Sequence, residues 1–355
     1  MKRIYLDYAS LTPIDKGVNK VIKKYSTMEY GNSSSLYASG VVAKRAVDEA
    51  KIRCARALHA HSDEIIFTSG GTESNRLVFE KFFGKKIIIS AIEHSSIIKN
   101  VDEIHIPVDS SGLVNLDFLK KSLTIDTGLV SVMMVNNEIG IIEPIAEIAK
   151  IVRDFNKINN TNILVHTDAC QAIVHLPIYV EKLGIDLMTL DGHKMYGPRG
   201  MGMLYVKRGS VEIERAGTEN VSGIMGFAYA LELAEKMRVK ETARVGELKS
   251  YFINELRKIN SDIKVNGSIN YLLENSVPSI LNVSIPNIDN EFFLFQLDAK
   301  GIEVSTKSAC LRDEDESYVL KAIGVSSKNS VRFSFGRGTM KGDLKKVLGV
   351  IRVLI

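Results

Sequence analysis

The chain has 355 residues, 45% of them hydrophobic and 25% charged, and its formal net charge is +4. Such a composition is typical of a globular protein, and the length allows one large domain or two of moderate size. Because the net charge is small and Lys and Arg are not clustered, we expect no direct binding of nucleic acid.

The apolar segments and the cysteines bear on the compartment. The N-terminus lacks the apolar stretch of a secretory signal, and no window approaches the roughly twenty apolar residues of a membrane span. Cys54, Cys170 and Cys310 are widely separated, which indicates neither a disulfide framework nor a CxxC metal site. We therefore expect a cytoplasmic protein with no membrane segment, in which an important cysteine is reactive rather than structural.

Along the first two thirds of the chain, short apolar runs alternate with segments of helical period. This alternation predicts an α/β fold with a mostly parallel sheet that is covered on both faces. The predicted strands are 64–68, 86–90, 129–135, 163–167, 187–190 and 202–206, and the predicted helices are 41–58, 116–121, 145–156 and 224–248.

After about residue 245 the pattern changes to that of a smaller α+β unit. The predicted strands there are 282–285, 301–304 and 330–335, and the predicted helices are 290–299 and 343–354. We predict a large domain over residues 13–245 and a small domain formed by residues 1–12 together with 246–355. No Pro/Gly-rich linker marks the boundary between the two.

The run TSGGTESN, residues 68–75, carries the first candidate site in chain order. A predicted strand leads into Gly70 and Gly71 and then into a segment of good helix propensity, so backbone N–H groups are exposed at a helix N-terminus. Amides and helix dipole together favour a phosphate there, and Thr72 adds a hydroxyl. The alternative is a βα turn that is rich in glycine for conformational reasons alone.

Two further candidates follow later strands of the predicted sheet. His94 comes after the strand 86–90, where α/β proteins bind ligands, and is suited to stacking on an aromatic ring or moving a proton. Asp168 lies just beyond an apolar run, and an ionised carboxylate in such a place needs a cationic partner such as a protonated pyridine nitrogen. The alternatives are a hydrogen-bonded loop histidine and a helix N-cap aspartate.

Lys194 follows the strand 187–190 within the run DGHKMYGP. A desolvated lysine has a lowered pKa, and its neutral amine is the form that makes an imine with a carbonyl group. The alternative is a surface lysine in a turn. Each candidate is ambiguous alone, but together they place a phosphate cradle, a stacking ring, an acid for a pyridinium and an imine-forming lysine after strands of one sheet.

In this arrangement the chain resembles the class-V aminotransferase family, and within it the cysteine desulfurases of the NifS/IscS type. The resemblance runs nearly from end to end and in the family's order. It rests on YLDYAS with Thr12-Pro13, Gly31-Asn32-Ser, TSGGTES, Glu93-His94, VNNEIG, DACQ, GHKMYGP, Gly217-Thr218-Glu-Asn220, Ser308-Ala-Cys310 and Val331-Arg-Phe-Ser334. It implies the fold of the type I pyridoxal-phosphate-dependent transferases, with pyridoxal 5'-phosphate as cofactor.

The resemblance also implies roles for individual residues. Lys194 would form the Schiff base, His94 would stack on the pyridine ring, Asp168 would pair with its nitrogen and Gln171 with its phenolic oxygen. The phosphate would be held by Gly71, Thr72 and His193, with Thr218 reaching it from the second subunit of a homodimer. The substrate carboxylate would be bound by Asn137 and Arg332, with Asn32 nearby.

Cys310 would be the nucleophile that takes sulfur from L-cysteine, leaving L-alanine and an enzyme persulfide. Its surroundings, STKSACLRDEDES, are polar and predict a surface loop. Lys307 and Arg312 would lower the pKa of the thiol and the carboxylates at 313–316 would raise it. The implied sulfur acceptor is a partner protein such as a scaffold for iron–sulfur cluster assembly, and transient ligation of a cluster by Cys310 stays open.

Three features depart from the family's pattern. Asp191 stands where the family usually has a serine whose hydroxyl donates to the cofactor phosphate, and an ionised carboxylate there would repel it. Asp191 would therefore turn away, stay protonated, or bind a helix amide or an arginine instead. The glycine-rich stretch expected before Arg215 is missing, and Lys307 replaces a small residue.

The expected activity is that of a cysteine desulfurase. Two alternatives remain at this point: a selenocysteine lyase-like enzyme acting on another β-substituted amino acid, and a degenerate, non-catalytic partner in a sulfur-transfer complex. Asp191 and the missing stretch favour the second slightly. The presence of Lys194, Asp168 and Cys310 together argues against it.

Overall fold

The computed structural model describes residues 3–98, 104–267, 275–306 and 316–355. The strands are β1 (Ile4–Tyr5), β2 (Ile65–Thr68), β3 (Lys86–Ser90), β4 (Ile104–Ile106), β5 (Thr127–Ser131), β6 (Leu164–Asp168), β7 (Leu187–Asp191), β8 (Gly202–Val206), β9 (Lys264–Val265), β10 (Ile280–Ser284), β11 (Ile302–Glu303) and β12 (Ser330–Ser334). The helices are α1 (Lys16–Thr27), α2 (Ala38–Leu58), α3 (Gly71–Glu80), α4 (Ser95–Ile98), α5 (Leu116–Ser122), α6 (Ile145–Asn159), α7 (Val180–Leu183), α8 (Val221–Ile259), α9 (Asn290–Ala299), α10 (Tyr318–Ala322) and α11 (Lys341–Leu354).

Within the described ranges, seven strands form a central sheet in the order β2-β8-β7-β6-β5-β3-β4. Only β8 runs antiparallel to its neighbours in this sheet, so the expected α/β fold with a mostly parallel sheet is confirmed. Side chains alternate between two cores, as the twofold period of a strand requires: Ile88 packs in one core, while Ile87 and Ile89 pack in the other. Burial of both faces explains why these strands show no polar alternation in sequence.

The predicted strands 86–90 and 202–206 have the observed bounds, and the other strand predictions for the central sheet overlap an observed strand. The largest difference is at 129–135, where β5 ends at Ser131 instead of Val135. Beyond Ser131 the chain leaves regular pairing, although the N–H groups of Val132 and Met134 still donate to the carbonyls of His166 and Asp168. An apolar run indicates buried residues, and here the residues stay buried beyond Ser131, the last residue of β5.

Two smaller sheets lie in the remaining described part of the chain: antiparallel β12-β10-β9 and the parallel pair β1-β11. Their shared core includes Leu6 from the N-terminal segment, Phe252 from α8 and Phe333 from β12. Leu6 and Ser334 are also tied through the backbone, since the N–H of Ser334 donates to the Leu6 carbonyl at 2.7 Å. The first residues of the chain therefore pack with its last third.

Helix α8 connects the two cores. Its first half packs against α1 and α2 and contributes Phe227 and Leu231 to the first core, and its second half enters the second core through Phe252 and Leu256. The expected domain boundary at residue 245 falls inside this continuous helix. None of the helices in the described ranges has the length and apolar character needed to cross a bilayer.

Candidate functional site

The carboxyl ends of the parallel strands meet at one edge of the central sheet, where α/β folds bind ligands. A cavity of about 180 Å³ lies at this edge. It is lined by Ala9, Ser10, Gly71, Thr72, His94, Ser96, Met133, Asn137, Asp168, Cys170, Gln171, Asp191, His193, Lys194 and Arg332.

The turn from β2 into α3 forms one wall of the cavity and depends on glycine. Gly70 has φ 152° and ψ 177°, a conformation that is open essentially to glycine only. Gly202 lies between Thr68 and Asp191 in the sheet, and a Cβ on it would come within 2.6 Å of the Gly70 backbone. Because Gly202 has no side chain, the N-terminus of α3 can cross β8 and reach the end of β7.

Asp191 meets that helix N-terminus. Its Oδ2 accepts the backbone N–H of Gly71 at 2.7 Å, and its Oδ1 accepts the N–H of His193 at 3.0 Å and contacts the His193 imidazole Nδ1 at 2.5 Å. Burial alone would raise the pKa of this carboxyl, but the contacts with His193 and the Gly71 amide outweigh burial and hold the pKa below its usual value. Of the alternatives that the sequence left open, Asp191 therefore binds a helix amide in its ionised form.

Asp168, at the end of β6, is 6% exposed. Its Oδ1 accepts the N–H of Cys170 and its Oδ2 accepts the side-chain amide of Asn75, both at 3.0 Å. These two partners are neutral, and no ion pair to Asp168 is found among the residues that the structure describes. A buried carboxylate with neutral donors is suited to a cation brought by a ligand.

Lys194 lies in the short 3-10 turn Gly192–Lys194 that follows β7, and its Nζ donates to the carbonyls of Ala9 and Ser10, both at 2.7 Å. Burial lowers the pKa of this amine, which favours the neutral form that attacks a carbonyl carbon. Gln171 donates its side-chain amide to the same Ala9 carbonyl at 2.8 Å. The N-terminal segment therefore closes the cavity over the lysine.

Arg332 on β12 brings a guanidinium group into the opposite wall. It is 1% exposed, and it donates to the backbone carbonyl of Asn137 and to the Asp7 carboxylate, both at 2.8 Å. Its Nε is buried and has no hydrogen-bond partner among the described residues. Arg332 lines the cavity and pairs with one carboxylate, that of Asp7, so its guanidinium makes this wall chemically suited to an anionic ligand.

His94 follows β3 and forms the wall beside Asp168. Its Nδ1 lies 2.9 Å from the Ser96 hydroxyl and accepts the Ser96 N–H at 3.2 Å, which fixes the orientation of the ring. Beneath it, the buried Glu93 accepts from the Ser90 hydroxyl and from the Met133 N–H, both at 2.7 Å. Burial raises the pKa of Glu93 to about 8.

Nine of the residues predicted from sequence line the cavity: Gly71, Thr72, His94, Asn137, Asp168, Gln171, His193, Lys194 and Arg332. Asn32 and Thr218 are exposed on this chain and do not belong to its lining, so their roles stay predictions. Cys310, with Lys307 and Arg312, lies outside the described residues. The short loop before Arg215 lies near α3, where Arg215 Nε is 3.4 Å from the Glu73 carboxylate.

Sequence reasoning missed Asn75, which binds Asp168, and the carbonyls of Ala9 and Ser10, which bind Lys194. The signal for Asn75 was available, because it lies four residues after Gly71 and so shares its helix face. Cys170 also lines the cavity, but burial raises the pKa of its thiol well above the usual value, which makes it a poor nucleophile.

Comparisons with known proteins relate the whole chain to one family. The family model described as aminotransferase class-V matches residues 4–347. The chain is 41% identical over 385 residues to a protein of Dictyoglomus turgidum named cysteine desulfurase IscS, with 100% of this chain and 95% of the relative covered. It is 38% identical over 384 residues to the protein of the same name from Methanosarcina thermophila, with 100% and 92% covered.

The chain belongs to the class-V aminotransferase family. Among solved structures it is similar to one titled NifS-like protein, with a TM-score of 0.89, 31% identity and 99% of each chain covered. The expected fold type I architecture is thereby confirmed. Membership of this family makes the protein a pyridoxal-phosphate-dependent enzyme.

The residues of the cavity fit pyridoxal phosphate. A Cβ on Gly71 would lie 3.1 Å from the Cys170 Sγ, which is a tight contact, so the glycine leaves this part of the wall more open for a close ligand. Asp168 offers a carboxylate without a cation, and Lys194 offers an amine with a lowered pKa. The N-terminus of α3 and His193 are the groups suited to the phosphate, with Asp191 between them.

Proposed function

We propose that this protein is a cysteine desulfurase, which converts L-cysteine to L-alanine and carries the sulfur as a persulfide on Cys310. The observation that carries the proposal is one cavity that unites Lys194, Asp168 and Arg332, side chains from the turn after β7, from β6 and from β12. The relatives named above are cysteine desulfurases, which favours this function over a selenocysteine lyase-like or non-catalytic alternative.

When bound, pyridoxal phosphate supplies an electron sink that stabilises negative charge at the substrate Cα. Asp168 is the carboxylate that we assign to the ring nitrogen, and two neutral donors, Asn75 and the Cys170 amide, fix its orientation. Gln171 turns its amide toward the same side of the cavity as Lys194, and both side chains donate to the Ala9 carbonyl.

Lys194 is the residue that binds the cofactor and then moves the substrate's proton. Its Nζ already lies at the cavity wall, and its lowered pKa leaves a larger fraction neutral near pH 7 than an exposed lysine has. A neutral amine accepts the Cα proton, and the resulting ammonium is held by the Ala9 and Ser10 carbonyls. The N-terminal segment thus stabilises the protonated form of the base.

Arg332 binds the substrate carboxylate. Its guanidinium lines the cavity and is fixed at two corners by Asp7 and the Asn137 carbonyl. The Asp7 carboxylate limits the net positive charge at this wall, so that binding depends on directed hydrogen bonds as well as on charge. Asn137, and Asn32 from the segment before α2, are the neighbouring amides that we assign to the same carboxylate.

Cys310 is the nucleophile for sulfur. Its thiolate attacks the sulfur of the bound cysteine, forming an S–S bond while the C–S bond breaks and its electron pair returns to the substrate carbon, which is then protonated to alanine. Contacts of the described residues on either side of its segment support this role: Ser305 pairs with Arg332 through the backbone, and the Ser317 hydroxyl donates to Glu138, the residue after Asn137, at 2.6 Å.

The working unit is a homodimer in which Thr218 of each chain reaches the phosphate site of the other. The exposure of Thr218 on the single chain supports this assignment, as does the exposed apolar surface of Tyr30, Leu36 and Tyr37 before and at the start of α2. The acceptor of the persulfide is a partner protein, such as an iron–sulfur scaffold in the cytoplasm. Only three cysteines in 355 residues are consistent with that reducing compartment.

The test is an assay of alanine and sulfide release from L-cysteine, with absorbance of the bound cofactor as a second readout. Lys194→Ala should lose the cofactor's Schiff-base absorbance, and Cys310→Ala should keep the absorbance but lose sulfide release. Cys54→Ala, at a buried cysteine far from the cavity, is the matched control and should retain both. Full sulfide release by Cys310→Ala, or failure of the wild-type protein to bind pyridoxal phosphate, would contradict the proposal.

A further inference from the structure

The N-terminus of α3 is the group in the cavity best suited to a phosphate, and a protein carboxylate is already bound there. The first N–H groups of a helix have no acceptor inside the helix, and the helix dipole places partial positive charge beside them. In this chain the Gly71 N–H donates to Asp191 Oδ2 at 2.7 Å. Asp191 is 6% exposed, so little water is available to replace it.

Asp191 is held in this position from both sides. Its own backbone is fixed in β7, where it pairs with Gly202, and its Oδ1 accepts the N–H of His193 two residues later. On the other side, Gly202 lets α3 approach to hydrogen-bond distance. The carboxylate is therefore a built part of the wall, and it occupies the Gly71 N–H and the His193 Nδ1, two of the groups at this end of the cavity that are suited to a phosphate.

A phosphate dianion and an ionised carboxylate cannot share these donors without strong repulsion at low dielectric. To bind the phosphate, the protein has to give up at least the hydrogen bond from Gly71 to Asp191. The hydrogen bonds that the phosphate gains there are thus offset by those that Asp191 loses. A ligand without a phosphate has no such cost.

We propose that Asp191 is an internal competitor for the phosphate site, which weakens the binding of pyridoxal phosphate specifically through its phosphate group. The inference rests on the proposed function as a pyridoxal-phosphate enzyme. It identifies Asp191 as a residue that sets the affinity for the cofactor. The chain consequently exchanges cofactor with solution more readily than the rest of its cavity requires.

The experiment compares apoprotein of the wild type with Asp191→Asn, using three probes: pyridoxal phosphate, pyridoxal and inorganic phosphate. Asn is isosteric and is also a favoured N-cap residue, and its single side-chain oxygen can still accept the N–H of His193, so the fold should be kept. We expect Kd for pyridoxal phosphate and for inorganic phosphate to fall about tenfold or more in the variant, because a charged competitor is replaced by a neutral one. Kd for pyridoxal should stay unchanged.

Asp186→Asn is the matched control. Asp186 directly precedes β7, at the end of the strand opposite to Asp191, and its carboxylate binds the Val165 N–H and Lys207 instead of α3. This variant should bind all three probes like the wild type. The melting temperature without ligand shows that each variant is folded, and titration calorimetry gives the dissociation constants.

Each outcome decides one of the two proposals. Equal or weaker binding of inorganic phosphate and pyridoxal phosphate by folded Asp191→Asn overturns the competitor role, as does a gain that pyridoxal shares. Failure of every protein, wild type included, to bind pyridoxal phosphate overturns the proposed function instead. A selective gain for the two phosphate-bearing probes supports the competitor role.

Discussion

Asp168 and Asp191 end two neighbouring strands of the central sheet, and their local structures are nearly the same. Each is 6% exposed, and in each the Oδ1 accepts the backbone N–H of the residue two positions later. They differ in what Oδ2 contacts on α3. For Asp168 the donor is the side chain of Asn75, and for Asp191 it is the backbone N–H of Gly71 at the start of the helix.

The two donors, Gly71 and Asn75, lie about one turn apart on α3, and this difference gives the two carboxylates different functions. The amide of Asn75 is neutral and lies away from the helix terminus, so Asp168 has a neutral partner on α3 and is suited to a cation. Asp191 meets the positive end of the helix dipole, where its charge is satisfied within the protein. Asp168 is thus suited to attract the ring nitrogen of the cofactor, whereas Asp191, at the same kind of position, competes with its phosphate.

Asp168→Asn is expected to have the largest effect, and in the opposite direction to the same change at Asp191. Loss of the carboxylate removes the charge that stabilises a protonated ring nitrogen, so kcat/KM for L-cysteine should fall on the order of a hundredfold or more. Steady-state alanine release, with the cofactor's absorbance spectrum recorded in parallel, measures the effect. If kcat/KM stays within about threefold of the wild type, the assignment of Asp168 to the ring nitrogen is wrong.

Asn75→Ala tests whether the orientation of Asp168 matters as well as its charge. The variant leaves the carboxylate but removes the donor to its Oδ2, and kcat should fall about tenfold. The cofactor's absorbance as a function of pH is the readout that distinguishes positioning from a general loss of packing, because it reports on the ring nitrogen's environment.

Arg76→Ala is the control for the Asn75 variant. Arg76 is the next residue on α3, and it faces solvent, where its Nε lies 3.3 Å from Glu80. It should leave kcat and the pH profile of the absorbance unchanged. An unaltered pH profile in Asn75→Ala, with kcat also unaltered, would show that Asp168 needs no support from α3.

Glu93→Gln is expected to have the smallest effect and to act on stability. Burial raises the pKa of Glu93 to about 8 in the folded protein, above about 4.3 in the unfolded chain, so the folded state binds the extra proton between these values. Stability contributed by this proton is complete below about pH 4 and is lost as the pH rises through 8. Relative to the wild type, the free energy of unfolding of Glu93→Gln should therefore increase by at least about 1 kcal/mol from pH 5 to pH 8.

Urea unfolding at the two pH values measures the shift for Glu93→Gln, with the exposed Glu235→Gln on α8 as control. For the control, the difference from the wild type in free energy of unfolding should be the same at both pH values. The same absence of change in Glu93→Gln would mean that Glu93 is ionised in the folded protein. Asp168 would then have a second buried negative charge beside it.

Sequence predicted the central sheet well because strands buried on both faces appear as continuous apolar runs. The runs at 86–90 and 202–206 gave the strand bounds directly. Short strands were missed, since Ile4–Tyr5 and Lys264–Val265 contain two residues each, too few for a period. The division of the chain near residue 245 stays a proposal, because helical periodicity continues through that point in α8.

The sequence by itself determined which residue types end the parallel strands, and therefore that a carboxylate, a lysine and a glycine turn meet at one edge of the sheet. It did not determine which groups touch. Asp191 had three open alternatives, because its partner Gly71 is 120 residues away and comes within 2.7 Å only where Gly202 lets α3 cross β8. Distances of that kind are set by strand order and close packing, and no local pattern of residues encodes them.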